Sequence, residues 1–204
     1  ENAAHELQTP LAVCMNKLEL LSEHPDCTED QLKEIAGLHQ ALNGIIRLNK
    51  SLLLLSRIDN KQFPETRDIC LNHLIHKILE GINDIYERKA LHLRVSEKES
   101  LVCTMNESLA TTLITNLIKN AYVHNYEKGD IGITISRRML TIANTGIDKT
   151  LDKELLFARF ASQSKQQEST GLGLAIVKSI VDLYSIRIDY QYANGMHTFT
   201  LLFY

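Results

Sequence analysis

HELQTPLAVCMNKLELL, residues 5–21, decides the first half of the fold. Leu7, Leu11, Cys14, Leu18 and Leu21 recur at alternating steps of four and three, a heptad seam, so this stretch predicts a helix built to lie against other helices. On that helix His5 and Thr9 fall one turn apart on a face away from the seam, with Glu6 beside the imidazole. Pro10 deprives the Glu6 carbonyl of its helical partner and predicts a bend. The helix should stop near His24 and Pro25, because the residue before a proline leaves the helical region. Thr28 with Gln31 three residues on forms a capping box for a second helix. That helix carries Leu32, Ile35, Leu38, Leu42, Ile45, Ile46, Leu48, Leu52, Leu53, Leu55 and Ile58, a stripe too wide for one partner helix to cover. A second copy of the hairpin would cover it, so a dimeric four-helix bundle is expected.

Working outward, NKQFPET at 60–66 breaks the helical pattern and divides the chain into residues 1–62 and 63–204. Beyond it, strand and helix periods alternate: a short strand at 67–70, a helix at 71–88, strands at 91–96 and 101–104, and a helix at 106–124. A hairpin at 131–136 and 139–143 follows, then a polar stretch at 162–170, a helix at 171–184, and strands at 186–192 and 196–203 around the turn Asn194–Gly195. Helices beside a mixed, mostly antiparallel sheet give an α+β layered second domain.

The bulk composition removes several classes of function. Twenty-two Lys and Arg against 25 Asp and Glu give a net charge of −3, all of it within residues 1–64, and no basic run argues for nucleic acid. Cys14, Cys27, Cys70 and Cys103 are widely spaced without a C-x-x-C, which predicts buried thiols in a reducing compartment and argues against zinc. His73 and His76 lack a third ligand and are expected at the surface. No segment has the roughly 18 to 20 apolar residues of a membrane span. Beginning at Glu1, the chain reads as a piece of something longer.

Three further stretches carry chemistry. STGLGLAIVK, residues 169–178, puts Gly171 and Gly173 at the mouth of a helix, whose free N–H groups and positive dipole end suit a phosphate. It matches neither the dinucleotide fingerprint nor the P-loop. NLIKNAYVHN, residues 116–125, lines Asn116, Asn120 and His124 along one face while Leu113, Leu117 and Ala121 face a core. Amide oxygens one turn apart can hold a hydrated magnesium ion. Finally Asn144-Thr145-Gly146 follows a strand, where a turn could bring Asn144 to a base edge, and FARF at 157–160 sets a basic residue between two aromatics.

In this order, H-E-L-x-T-P, N-L-x-x-N-A, x-T-G, F-x-R-F and G-L-G-L-A-I-V-K resemble the H, N, G1, F and G2 boxes of bacterial sensor histidine kinases, and the resemblance covers essentially the whole chain. It implies a dimerisation and phosphotransfer hairpin over 1–62 and, over 63–204, an α/β sandwich ATP-binding domain of the type shared with gyrase B and Hsp90. His5 resembles the phospho-acceptor, Glu6 the acid that helps deprotonate it, and Thr9 the residue that orients water for dephosphorylating the response regulator. Asn120 resembles the magnesium ligand and Asn116 its catalytic partner. Asn144, Gly146, Arg159, Gly171, Leu172 and Gly173 fall at nucleotide-binding positions, Arg159 at the basic place that reaches the terminal phosphate. The implied cofactors are ATP and Mg2+. The implied partners are a second copy and a response regulator receiver domain, with no nucleic acid and no direct membrane contact. The implied location is the cytoplasmic part of an inner-membrane sensor.

The chain departs from the family pattern at three places. Asn144 stands where an aspartate usually reads adenine, Asp148 where a second glycine is usual, and Val123 where many members carry a lysine, with His124 at a common aromatic place. Since an amide can turn over and either donate or accept, Asn144 leads to an expectation of modest ATP affinity and relaxed ATP-over-GTP selectivity, sharpened by Asn144→Asp. Two other functions stay open on sequence: an ATP hydrolase or clamp of the chaperone and topoisomerase type, and a degenerate nucleotide-binding or phosphatase module. The first needs a glutamate where Asn116 stands, and an amide is no base.

Overall fold

The computed structural model describes residues 2–160 and 171–204. Helix α1 (Asn2–Ser22) runs through Pro10 and packs against α2 (Glu29–Asp59). The capping box forms as the sequence predicts: Gln31 N–H donates to Thr28 Oγ1 at 3.3 Å, and Thr28 N–H to Gln31 Oε1 at 2.9 Å. Of the seam on α1, only Leu18 is buried, while Leu7 and Leu21 are more than half exposed. The last turns of α2 behave differently. Leu55 and Ile58 are buried in the core that continues through the second half of the chain, and α2 packs against α6 (Gly173–Leu183).

After the loop at 60–66 come β1 (Arg67–Cys70), α3 (Leu71–Tyr86), β2 (His92–Glu97), β3 (Val102–Met105) and α4 (Glu107–Val123). Next are β4 (Asp130–Ser136), β5 (Met139–Thr145), the single-turn α5 (Lys153–Leu156), α6, β6 (Arg187–Ala193) and β7 (Met196–Leu202). The main sheet runs β2-β4-β5-β7-β6, all neighbours antiparallel except β2 and β4, and β1 with β3 forms a separate antiparallel pair. Burial alternates strictly along β4, β5 and β7, putting Ile131, Ile133, Ile135, Leu140, Ile142, Phe199 and Leu201 on the core face. Helix α4 lies between α3 and α6 and packs on β5. Its Leu113, Leu117 and Ala121 are buried, as its periodicity predicts. Asn106 caps its start, its Oδ1 accepting from the N–H groups of Ser108 and Leu109 at 3.0 and 3.3 Å. The β6-β7 turn places Asn194 and Gly195 at φ 51° and 75°, the left-handed pair a tight hairpin requires.

The cysteine expectation needs correcting. All four are free thiols, but none is buried: Cys14 is exposed within α1, and the other three are half-buried, Cys27 in the loop before α2 and Cys70 and Cys103 on the separate two-stranded pair. His73 and His76 are exposed as expected, and His76 also pairs with Glu97. No helix among the described residues is long and apolar enough to cross a membrane.

Candidate functional site

Helix α4 is the floor on which the sequence-predicted residues meet. Asn116 and Asn120 are half-buried on its open face, and Asn116 Nδ2 donates to the carbonyl of Thr112 at 2.8 Å, leaving its Oδ1 outward. Gly173 comes down on that oxygen. A Cβ at Gly173 would stand 2.9 Å from Asn116 Oδ1, so a side chain there would hold the start of α6 away from α4. Leu172, fully buried, anchors the same turn from below, and Gly171 takes φ 67°, the left-handed region where glycine is unstrained. The G2 and N stretches, far apart in sequence, therefore share one surface.

The NTG turn meets the other end of α4. A Cβ at Gly146 would lie 3.0 Å from the carbonyl oxygen of His124 and 3.0 Å from His197 Cδ2. Asn144 ends the buried face of β5 at 2% exposure, and its Oδ1 is the one buried side-chain polar atom among the described residues without a hydrogen-bond partner. An unmet buried acceptor costs roughly 1–3 kcal/mol, which marks a place where a donor belongs. A close glycine cradle at one end of the cleft and a buried acceptor at the other fit a ligand with a phosphate and a base.

Two supports around this cleft were not legible as motifs. Asn125 Oδ1 accepts from Thr145 Oγ1 at 2.6 Å and from Tyr126 N–H at 3.0 Å. Its Nδ2 donates to Asp130 O at 3.1 Å, tying the end of α4 to β4 and β5. Gly129 is forced by this knot, since a Cβ there would lie 2.0 Å from Asn125 Oδ1. The second support holds the segment after Gly146. Ile147 O can only accept, so His197 Nε2 donates to it at 2.8 Å. His197 Nδ1 then accepts from Tyr190 OH at 2.7 Å, and that hydroxyl accepts from Leu151 N–H at 3.2 Å. Asp148, at the place of the missing glycine, accepts from Tyr192 OH. Side chains of the β6-β7 hairpin thus do the holding that a tighter glycine turn would do by backbone alone.

Other predicted residues are placed elsewhere. Arg159 pairs with Asp59 at the end of α2, Nη2 to Oδ2 at 3.0 Å, both side chains about half exposed. Phe157 packs on the core and Phe160 is exposed, its N–H donating to Gly171 O at 3.1 Å. The polar stretch at 162–170 lies outside the described residues, as do the side chains of His5 and Glu6 on α1. Thr9 is exposed on the same helix.

Comparison with known proteins gives a consistent answer. Residues 1–61 match the family described as "His Kinase A (phospho-acceptor) domain", and 105–203 match "Histidine kinase-, DNA gyrase B-, and HSP90-like ATPase". The chain is 33% identical over 213 residues to the heme sensor protein HssS of Staphylococcus saprophyticus, covering all of this chain and 45% of that protein. It is 28% identical over 209 residues to the sensor histidine kinase HprS of Escherichia coli, covering 98% of this chain and 46% of that one. It thus spans less than half the length of these curated relatives. Among solved structures, full-length ShkA in complex with AMPPNP superposes with a TM-score of 0.75 at 16% identity, covering all of this chain and 45% of that one. The Acinetobacter baumannii histidine kinase AdeS gives 0.63 at 19% identity, covering 97% and 95%.

Proposed function

Because the chain belongs to the sensor histidine kinases of two-component signal transduction, we propose that it moves the terminal phosphoryl group of ATP onto His5 and from there onto an aspartate of a response regulator's receiver domain. The observation that carries this reading is the convergence on α4, with Gly173 pressed on Asn116 and Gly146 on the carbonyl of His124, the residue that caps the helix. The free N–H groups at the start of α6 bind the phosphates, with Gly171, Leu172 and Gly173 allowing the backbone close. Asn120 and Asn116 present amide oxygens to a hydrated magnesium ion. Magnesium, when bound, neutralises charge on the phosphates. Asn144 and Gly146 border the base.

On α1, the His5 imidazole is the nucleophile, Glu6 takes or orients its proton, and Thr9 one turn on orients water when the regulator is dephosphorylated. Arg159 serves the terminal phosphate after leaving Asp59. An exposed ion pair of this kind contributes about 0–1 kcal/mol, so exchanging a carboxylate for a phosphate costs little. A hydrolase reading is weaker, since the amide at 116 cannot act as a base and its NH2 is committed to Thr112 O.

The hairpin's unpaired apolar residues, among them Val13, Leu20, Leu38 and Ile45, support assembly as a homodimer through residues 1–62. Residues 63–204 act as the ATP-binding domain, and the whole stretch works on the cytoplasmic side of an inner-membrane sensor. Incubation with labelled ATP and magnesium should give acid-labile protein phosphate. Chelating the metal, or Asn120→Ala, should cut that labelling at least about tenfold, because a hard cation loses an oxygen ligand. Labelling that is indifferent to both would remove the magnesium site from α4.

A further inference from the structure

Residues 124–129 carry the chain from α4 into β4, and the Gly146 end of the cleft leans on them. The His124 carbonyl is the atom that a Cβ at Gly146 would meet at 3.0 Å, and the Asn125 side chain ties this turn to Thr145 and Asp130. The turn is itself held from a distant part of the chain. Lys89, in the turn after α3, accepts the Lys128 N–H on its carbonyl at 2.8 Å. Its half-buried ammonium donates to the carbonyls of Tyr122 at 2.9 Å, Val123 at 2.8 Å and Asn125 at 2.9 Å. Three carbonyl oxygens drawn to one point repel one another unless a positive charge sits among them, and two of these belong to the negative end of α4. All three bonds go to backbone oxygens at nearly one distance. Carbonyls arranged in this way can replace the hydration shell of a potassium ion, whose size is close to that of an ammonium.

We propose that the Lys89 ammonium is a tethered monovalent cation that positions the Gly146 end of the nucleotide cleft, and that its carbonyl cage takes potassium when the side chain is cut back. The proposal rests on reading the cleft as an ATP site. Lys89 touches none of the residues assigned there, so it is a positioning residue that acts through His124 and Asn125. With the charge gone, the three carbonyls move apart to find water, carrying with them the oxygen on which Gly146 sits and the knot that holds Thr145. The covalent tether makes the native chain indifferent to dissolved cations, whereas an alanine leaves both the oxygens and the space.

Thermal unfolding without nucleotide, and equilibrium binding of ATP with magnesium, test this on the native chain and Lys89→Ala in potassium, ammonium or tetramethylammonium chloride at equal ionic strength. Tetramethylammonium is too large for the cage. The native chain should give one Tm and one ATP affinity in all three salts. In tetramethylammonium, Lys89→Ala should bind ATP at least about fivefold more weakly than the native chain, the worth of about one hydrogen bond. Potassium or ammonium should raise its Tm by at least about 2 °C and return its affinity to within about twofold of native. Native affinity of the variant in tetramethylammonium overturns the positioning role, and a loss that neither small cation repairs overturns the cation site, as does an equal response of the native chain. A variant that folds only with potassium or ammonium supports the cage, and one that folds in no salt refutes it. In that last case Lys89→Gln, which fills the space and keeps neutral donors, decides the positioning role: it should bind ATP more weakly in every salt, and native affinity overturns that role. Failure of the native chain to bind ATP in any salt would instead overturn the nucleotide reading, leaving the Tm comparison to decide the cage.

Discussion

Lys89 shows how much of the cleft depends on one side chain with no motif around it. Its ammonium donates to the carbonyls of Tyr122 and Val123, the last two residues of α4, at 2.9 and 2.8 Å, and to that of Asn125 just past the helix at 2.9 Å, in the region where helix geometry leaves carbonyls without a helical N–H. A cation there also meets the negative end of the helix dipole. The family often carries a lysine where this chain has Val123, and here an ammonium reaches the Val123 carbonyl from the turn after α3. Burial pulls the Lys89 pKa below its ordinary value, so desolvation takes back part of what the three bonds contribute. Lys89→Met keeps the stem and removes the donors. It should cost about 2 kcal/mol of stability in urea denaturation, and a loss under about 0.5 kcal/mol would mean that water replaces the ammonium freely.

Among the elements, α2 carries two duties, and the two ends of the helix can be separated by mutation. Its start is fixed locally by Thr28 and Gln31, so Thr28→Ala should lower stability by about 1 kcal/mol. An unchanged denaturation midpoint would show that the hairpin's packing alone sets where α2 begins. Its other end joins the second core through Leu55 and Ile58. These features differ in how far the sequence reveals them. The capping box, the Asn194–Gly195 turn and the buried stripe of α4 are local patterns whose partners lie within a few residues, and all were legible. The parallel pairing of β2 with β4 was not, because it joins strands separated by the whole of α4. Nor was the Asp59–Arg159 pair, whose members stand 100 residues apart. At the cleft, sequence gave the identity of Asn144 but not the orientation of its amide, which a backbone carbonyl decides.

For the molecule as a whole, the proposed reaction would divide its work between the two halves. The hairpin displays Thr9 and an exposed apolar seam, while the second half gathers α4, α6 and the end of β5 into a cleft with a glycine cradle and a buried acceptor. Phosphoryl transfer asks little covalent chemistry of a protein beyond positioning and charge neutralisation, which such a division supplies. The central claim is that phosphate leaving this cleft arrives at His5. It is tested most directly by incubating the chain with magnesium and ATP and locating the phosphate by mass spectrometry under neutral conditions, for the native chain and for His5→Gln. The account predicts one phosphoryl group, on His5, absent from His5→Gln while that variant still binds ATP with native affinity. Phosphate on any other residue, or its persistence in His5→Gln, would contradict it.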